Sequence, residues 1–161
     1  AVLSNPDNPG LGPAYAQVER AAEALGMQAQ LVNARGPGDL EAAFAAAARE
    51  QADSLIMLQD SVLYSYHRRV IDLAGRYRLP AVAGEQGFAR DGGLLAYGTS
   101  AAGLYRRAAY YVDRILKGDR PADLPVEQPM AFDFVINLNT AQALGLTIPQ
   151  QVLLQATEVL Q

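Results

Sequence analysis

The chain has 161 residues, carries a formal net charge of −4 at pH 7 and contains no cysteine. This length suits one compact domain, and the acidic balance excludes a nucleic-acid-binding protein, which needs a basic surface to neutralise phosphates. The lack of cysteine excludes disulfides, thiolate metal sites and cysteine nucleophiles, and no apolar run approaches the roughly 20 residues of a membrane-spanning helix.

Short apolar runs alternate with longer amphipathic segments in the first part of the chain. The runs predict strands at Ala1–Leu3, Met27–Val32, Ser54–Leu58 and Pro80–Ala83. The segments between them predict helices at Tyr15–Leu25, after a cap at Asp39, and at Tyr64–Tyr77. Strand–helix units of about 25–30 residues are typical of the α/β class, with a doubly wound parallel sheet.

The second part, residues 92–161, has a different pattern. It predicts strands at Leu94–Tyr97 and Phe132–Asn137, and helices at Ala101–Leu116, Thr140–Leu144 and Pro149–Leu160. Asp119–Pro129 carries three prolines and is typical of a linker or a wrapping loop. We therefore expect a lobe at residues 1–91 followed by a C-terminal helix–strand–helix segment.

Ligands of doubly wound sheets bind outside the carboxyl ends of the strands. The candidate ligand-binding residues at these ends are Ser4, Asn5, Asn8, Asn33, Asp60, Ser61, Glu85 and Phe88. Polar side chains with one aromatic ring suit a small polar or zwitterionic ligand. The same residue types also cap helices, so the pattern leaves cap and ligand contact open for each loop. Glu85 differs, because it follows a buried strand and lies in no predicted helix.

The sequence contains no recognisable catalytic constellation. The single histidine, His67, lies beside Arg68 and Arg69, a run typical of a solvated helix face. With one histidine and no cysteine, neither a metal cluster nor a second imidazole is available. The residue counts leave a Ser-His-Asp triad open, but we predict no catalytic residues, no metal site and no cofactor. Gly-x-Ser-x-Gly and Walker A motifs are absent, and a dinucleotide fingerprint after the first strand lacks its third glycine.

Two other classes of small α/β protein fit the sequence less well. A receiver domain needs a lysine after its last strand, whereas Lys117 is the only lysine here and ends a helix. A small enzyme could use Asp60 or Glu85 as a general base, but no partner nucleophile is evident. We therefore predict a binding protein and not an enzyme.

Several stretches of the chain resemble a known family. They are Ala1–Pro9, Arg69–Pro80, Gly92–Gly98, Ile115–Pro129, Val135–Ala141 and Leu144–Pro149. Together they are similar to ABC-transporter substrate-binding proteins of the tryptophan/tyrosine-binding type, and they span most of the chain. The resemblance implies one lobe of a type I periplasmic binding protein, in which two lobes close on a ligand and deliver it to an ABC permease.

The resemblance also implies roles for individual residues. The ligand loops of the second lobe fall on Ser4 and Asn5, on Asp60 and Ser61, and on Glu85; a ligand amine would bind Asp60 or Glu85, and Phe88 would stack on an aromatic ring. Family members that bind aromatic amino acids tend to have Asp-Asn or Asp-Ser followed by a threonine, where this chain has Asp60-Ser61-Val62. Many members have Glu-Glu-Gly after the fourth strand, where this chain has Glu85-Gln86-Gly87. Amino acids and aromatic acids therefore both remain candidate ligands.

The resemblance further implies that a first lobe is not part of this chain. Three elements would then pack on a missing sheet: the strands Leu94–Tyr97 and Phe132–Asn137 and the helix Ala101–Leu116. The last predicted helix would return to the second lobe. We expect this segment, Gly92–Asn137, either to dock on its own lobe or to form a homodimer. A periplasmic location and a signal peptide in the precursor are expected, and a ligand-sensing regulatory domain of the same fold is the alternative.

Overall fold

A computed structural model describes residues 1–161 as one β-sheet with α-helices on its faces. The seven strands are β1 (Val2–Ser4), β2 (Leu31–Asn33), β3 (Leu55–Met57), β4 (Ala81–Ala83), β5 (Leu95–Thr99), β6 (Phe132–Asn137) and β7 (Glu158–Leu160). The eight α-helices are α1 (Leu11–Ala24), α2 (Pro37–Arg49), α3 (Ser61–Ser65), α4 (His67–Tyr77), α5 (Gln86–Arg90), α6 (Ala101–Leu116), α7 (Leu138–Leu144) and α8 (Gln150–Leu153). The predicted α/β fold class is confirmed.

The strands lie in the order β2-β1-β3-β4-β5-β6-β7. Strands β1 to β5 are parallel, β6 runs antiparallel to β5, and β7 runs parallel to β6. The carboxyl ends of β1 to β5 therefore meet at one edge of the sheet. The chain winds outward in opposite directions from β1, and a sheet of this kind opens a crevice between β1 and β3 at that edge.

The main core lies on the face of the sheet that α2 and α4 cover. Leu3, Phe44 and Leu73 are completely buried there, and each such side chain contributes about 1.5–3 kcal/mol of transfer free energy. On the other face α1 covers only part of the sheet, where Leu11 packs with Val2 and Leu58. Leu25, the last residue of the predicted helix, follows the end of α1 and is 75% exposed.

Several boundaries differ from the prediction: α1 begins at Leu11 and not at Tyr15, and β2 begins at Leu31 and not at Met27. Asp39 does not cap its helix, because α2 begins at Pro37 and the Asp39 carboxylate accepts a hydrogen bond from the Arg35 N–H instead (3.0 Å). The predicted helix Tyr64–Tyr77 is two helices that break at Tyr66. At this break the Nδ1 atom of His67 lies 2.6 Å from the carbonyl oxygen of Tyr64.

The C-terminal segment contains two further departures. The predicted last helix Pro149–Leu160 is wrong, because α8 ends at Leu153 and the final residues pair with β6 as β7. Thr157 begins this pairing, since its N–H donates to the Phe134 carbonyl at 2.8 Å. The expectation that the β5 and β6 segments pack on a missing sheet is also wrong, because they extend the sheet from β4.

Helix α6 differs from every other long element, because it buries none of its residues. Its apolar side chains Leu104, Val112 and Leu116 are 45%, 54% and 81% exposed. The contacts it makes are with the loop that follows it: Arg107 pairs with Glu127, and the Tyr111 hydroxyl donates to the Pro125 carbonyl. An amphipathic helix without a packed face is typical of an interface.

Candidate functional site

The loops after β1 and β3 are joined by the carboxylate of Asp60. Asn5 and Asn8, in the loop after β1, donate their side-chain amides to Asp60 at 3.3 and 2.8 Å. The backbone N–H groups of Val62 and Leu63 donate to the same carboxylate at 3.0 and 2.9 Å. Asp60 is thus the N-cap of α3 and, at the same time, the anchor of the β1 loop.

The hydrogen bonds to Asp60 determine its charge state. Asp60 is only 6% exposed, and burial by itself raises the pKa of a carboxyl group. The donors Leu63, Asn8, Asn5 and Val62 outweigh this effect and hold the pKa of Asp60 below its usual range. The carboxyl group is therefore ionised, and its two oxygens already accept protein donors, three at Oδ1 and one at Oδ2.

The two asparagines are similarly occupied within the loop. The side-chain oxygen of Asn5 accepts from the Asp7 N–H at 3.0 Å, and that of Asn8 accepts from the Gly10 N–H at 3.0 Å. We call Asn5, Asn8 and Asp60 the loop clasp. The sequence left cap and ligand contact open for these residues, and the structure shows that they hold the crevice loops together.

Glu85 lies at the same edge, after β4, in a different environment. It precedes the short helix α5, which the sequence did not predict, but its side chain makes no capping hydrogen bond to it. Its Oε2 atom is buried and has no hydrogen-bond partner. Burial raises the pKa of the Glu85 carboxyl, and the backbone N–H of Glu85 itself, the neighbouring Gln59 and the charge of His67 offset only part of this shift. A buried carboxylate oxygen without a hydrogen-bond donor costs free energy. A donor group of a ligand placed beside this oxygen would recover that cost.

The remaining predicted residues are distributed unevenly. Ser4 is buried at the end of β1, whereas Asn33 is exposed at the end of the edge strand β2 and Ser61 is exposed at the start of α3. Phe88 is a correction: its side chain is 0% exposed and belongs to the main core. Its ring is therefore unable to stack on a ligand. Phe88 lies on the buried face of α5, and a helix of five residues is too short for the sequence pattern to reveal that face.

The sequence also missed a cluster beside Glu85. The rings of Tyr64 and His67 are stacked, with centroids 4.7 Å apart and an interplanar angle of 12°. The His67 Nε2 atom lies 2.6 Å from the carboxylate of Asp91, the residue after α5. The His67 side chain is only 15% exposed, so its predicted place on a solvated helix face is wrong. The contact joins residues 24 positions apart, and local sequence pattern gives no signal for it.

Strand β5 is held tightly against the segment that carries Glu85. A Cβ atom on Gly98 would lie 2.1 Å from the backbone oxygen of Gly84, which precedes Glu85. Only glycine permits this approach of the two backbones. At the other end of α5, the Asn137 side chain donates to the Ala89 carbonyl at 2.9 Å, and the Thr140 hydroxyl donates to the Gly92 carbonyl at 2.8 Å. The Glu85 segment is therefore fixed from both sides.

Three kinds of group meet at the carboxyl edge of the sheet. They are the exposed polar side chains Asn33, Gln59 and Ser61, the loop clasp, and the buried Oε2 atom of Glu85. No group of three or more His, Asp or Glu side chains is placed to hold a metal ion. None of the helices has both the length and the apolar character that crossing a membrane requires. Chemically, the arrangement is suited to accepting hydrogen bonds from a cationic or donor group of a small molecule at Glu85.

Comparison with known proteins gives one matching family. The model of the family described as ABC transporter substrate binding protein matches residues 3–160. No functionally curated protein matches the sequence with significance.

Several solved structures have a similar fold, among them the following three. A conserved domain protein from Vibrio cholerae shares 27% identity with a TM-score of 0.87 over 98% of this chain. An ABC domain in complex with L-Trp from Streptococcus pneumonia shares 22% identity with a TM-score of 0.86 over 99% of this chain. A ligand-free, open substrate-binding protein with adhesive properties from Clostridium difficile shares 19% identity with a TM-score of 0.74 over 99% of this chain. The match covers 53%, 55% and 53% of those three proteins, so this chain spans about half of their length.

Proposed function

We propose that this chain forms one wall of a cleft for a small ligand that carries an amine. The premise is that the chain belongs to the family of ABC transporter substrate-binding proteins. The chain spans about half the length of the similar solved structures. A second lobe would supply the facing wall, and closure of the two lobes would enclose the ligand. The site is the carboxyl edge of β1, β3 and β4.

Glu85 is the residue that carries this proposal. Its Oε2 atom is buried without a partner, and a ligand ammonium group would supply the missing donor in a charge-assisted hydrogen bond. The other acidic candidate is unsuited to this role, because four protein donors already occupy Asp60. Ser61, Asn33 and the exposed Gln59 remain available for polar groups of the ligand.

An amino acid is the ligand class that fits best. Its ammonium group would bind Glu85, and its carboxylate would meet polar donors of the rim or of the facing lobe. The L-Trp complex of the similar Streptococcus protein supports an amino acid with an aromatic side chain. Since Phe88 is buried, an aromatic ligand side chain would pack against the facing lobe and not against Phe88.

The family also supports a proposal for the role of the whole protein. We propose an extracytoplasmic, periplasmic binding component of an ABC importer, which has no enzymatic activity and delivers its ligand to an ABC permease. In the longer protein, β5, β6 and β7 would remain in this sheet, and within residues 92–161 the apolar side of α6 would pack against the facing lobe. In the isolated chain, the same side of α6 would mediate a homodimer.

Calorimetric titration tests this function. In a two-lobed protein containing this chain, we expect L-Trp, L-Tyr or L-Phe to bind, whereas indole-3-propionate, which lacks the amine, binds at least tenfold more weakly. Glu85→Gln should lower the affinity for the amino acid at least tenfold, about 1.4 kcal/mol. Glu41→Gln is the matched control, because Glu41 lies on the surface and pairs with Arg69 and Arg76.

Two results would contradict the proposal. Equal affinity for L-Trp and indole-3-propionate would remove the amine from the mechanism. Tight binding by the isolated chain would show that the cleft does not need a second wall, because we expect the isolated chain to bind weakly or not at all.

A further inference from the structure

We propose that His67 is a positioning residue for the ligand site, and that its ring holds α5 and Glu85 in place as an imidazolium ion protonated on both nitrogens. Its role in ligand binding rests on the function proposed above, whereas its charge state does not. The inference starts from the two hydrogen-bond partners of the ring.

Both nitrogens of the His67 ring face hydrogen-bond acceptors. Nδ1 lies 2.6 Å from the carbonyl oxygen of Tyr64, and Nε2 lies 2.6 Å from a carboxylate oxygen of Asp91. A neutral imidazole has only one N–H to donate, whereas the imidazolium ion has two. Neither partner is able to donate, because one is a carbonyl and the other an ionised carboxylate. Only the imidazolium ion therefore makes both contacts.

The charged groups around the ring favour its positive charge. Asp91 follows α5, and the hydrogen bond from His67 holds the pKa of the Asp91 carboxyl below its usual range. The carboxylate of Glu85 is the second nearby anion, and the positive charge of His67 acts to lower its pKa. Arg68, next to His67 on α4, opposes the charge of the ring but also pairs with Asp91, at 3.4 Å. The hydroxyl of Tyr64 is the remaining titratable group near the ring. Burial raises the pKa of Tyr64 most, and the negative charges of Glu85 and Asp91 raise it further.

The ring reaches Glu85 through both ends of α5. At the carboxyl end, His67 binds Asp91 directly. At the amino end, Tyr64 stacks on His67, and its hydroxyl lies so close to Gly87 that a Cβ there would be 2.3 Å away. A helix of five residues has little stability of its own. These two contacts therefore add to the contacts of Asn137 and Thr140 in setting the orientation of α5 and of the Glu85 carboxyl that immediately precedes it.

Nitrogen-15 NMR tests the charge state directly. His67 is the only histidine in the chain, so its ring signals need no assignment by mutation. At pH 7 we expect both ring nitrogens to show the chemical shifts and attached protons of an imidazolium ion. In Asp91→Asn one ring nitrogen should lose its proton at the same pH, whereas Glu41→Gln should leave the signals unchanged. A neutral single-tautomer ring in the unmutated chain at pH 7 would overturn the proposal.

Ligand binding tests the positioning role, with L-Trp as the probe in the two-lobed protein. His67→Gln keeps one donor for Asp91 but loses the charge, and should weaken L-Trp binding about tenfold, which corresponds to about 1.4 kcal/mol. His67→Arg restores the charge and a donor, and should recover part of that loss, which a purely space-filling role would not predict. Unchanged L-Trp affinity in His67→Gln would overturn the positioning role. If instead Glu85→Gln leaves L-Trp affinity unchanged, the proposed function fails, and the NMR signals still decide the charge state of His67.

Discussion

Replacement of Asp60 by alanine tests whether the loop clasp is structural. The change removes a carboxylate that accepts hydrogen bonds from two backbone N–H groups and from the amides of Asn5 and Asn8. Loss of a helix N-cap costs about 1 kcal/mol, and each of the two stranded amide donors adds about 1 kcal/mol. We therefore expect Asp60→Ala to lower the free energy of unfolding by about 3 kcal/mol. Urea denaturation monitored by circular dichroism measures this change.

Two further variants and the pH dependence sharpen that experiment. Asp60→Asn keeps an oxygen for Val62 and Leu63 but places an NH₂ group against Asn8, so we expect a loss of about 1–2 kcal/mol. Ser61→Ala, at the exposed neighbouring position, should change stability by less than about 0.5 kcal/mol. Because folding lowers the pKa of Asp60, its contribution is complete above the unfolded value of about 3.9. It disappears as the pH falls through the folded value, so wild type and Asp60→Ala converge only in acid.

The clasp interpretation has a clear refutation. If Asp60→Ala unfolds at nearly the same urea concentration as wild type at pH 7, the carboxylate is not bound by the protein. Asp60 would then be free to bind a ligand amine, and the reason for preferring Glu85 over Asp60 would be lost.

Three further predictions concern Glu85, Gly98 and α6. Since folding raises the pKa of Glu85, wild type should lose stability relative to Glu85→Gln as the pH rises from about 4.3 through the folded value; denaturation curves at pH 4 and pH 8 measure this, and a constant difference would contradict it. Gly98→Ala should lower stability by about 1–3 kcal/mol, because the added Cβ meets the Gly84 backbone. Gly75→Ala in α4, where nothing lies within 4 Å of the added Cβ, is the control in thermal denaturation. Equal melting temperatures of Gly98→Ala and wild type would refute the contact. Replacement of Leu104 and Val112 by serine should reduce dimer formation and hydrophobic-dye fluorescence of the isolated chain, and a wild-type chain that is monomeric and binds no dye in size-exclusion and fluorescence measurements would exclude the α6 interface.

The sheet could be predicted from the sequence because its signals are local. Buried parallel strands such as Leu55–Met57 are short apolar runs, and α2 and α6 have clear amphipathic periodicity. Ligand sites of such sheets lie at the carboxyl ends of the strands, and this rule correctly places Asp60 and Glu85 at one edge from the sequence alone. What the rule gives is a location, and the partners of each side chain at that location depend on contacts between distant parts of the chain.

The errors have the same physical origin. Phe88 looked like a rim residue because the sequence gives no helix at α5, whose five residues are stabilised by packing and not by propensity. His67 looked solvated because its partner Asp91 lies on another element. The last strand, β7, was predicted as part of a helix. Its extended conformation depends on pairing with β6, a distant contact that the local sequence pattern does not report.

A crystal structure of a two-lobed protein containing this chain, with an aromatic amino acid such as L-Trp bound, tests the central claim most directly. We predict that the ligand lies at the carboxyl edge of β1, β3 and β4, with its ammonium nitrogen within about 3 Å of a Glu85 carboxylate oxygen. The Asp60 carboxylate should still accept hydrogen bonds from Asn5 and Asn8 and make no contact with the amine. A ligand amine bound to Asp60, or a ligand held away from this edge, would contradict the proposed site.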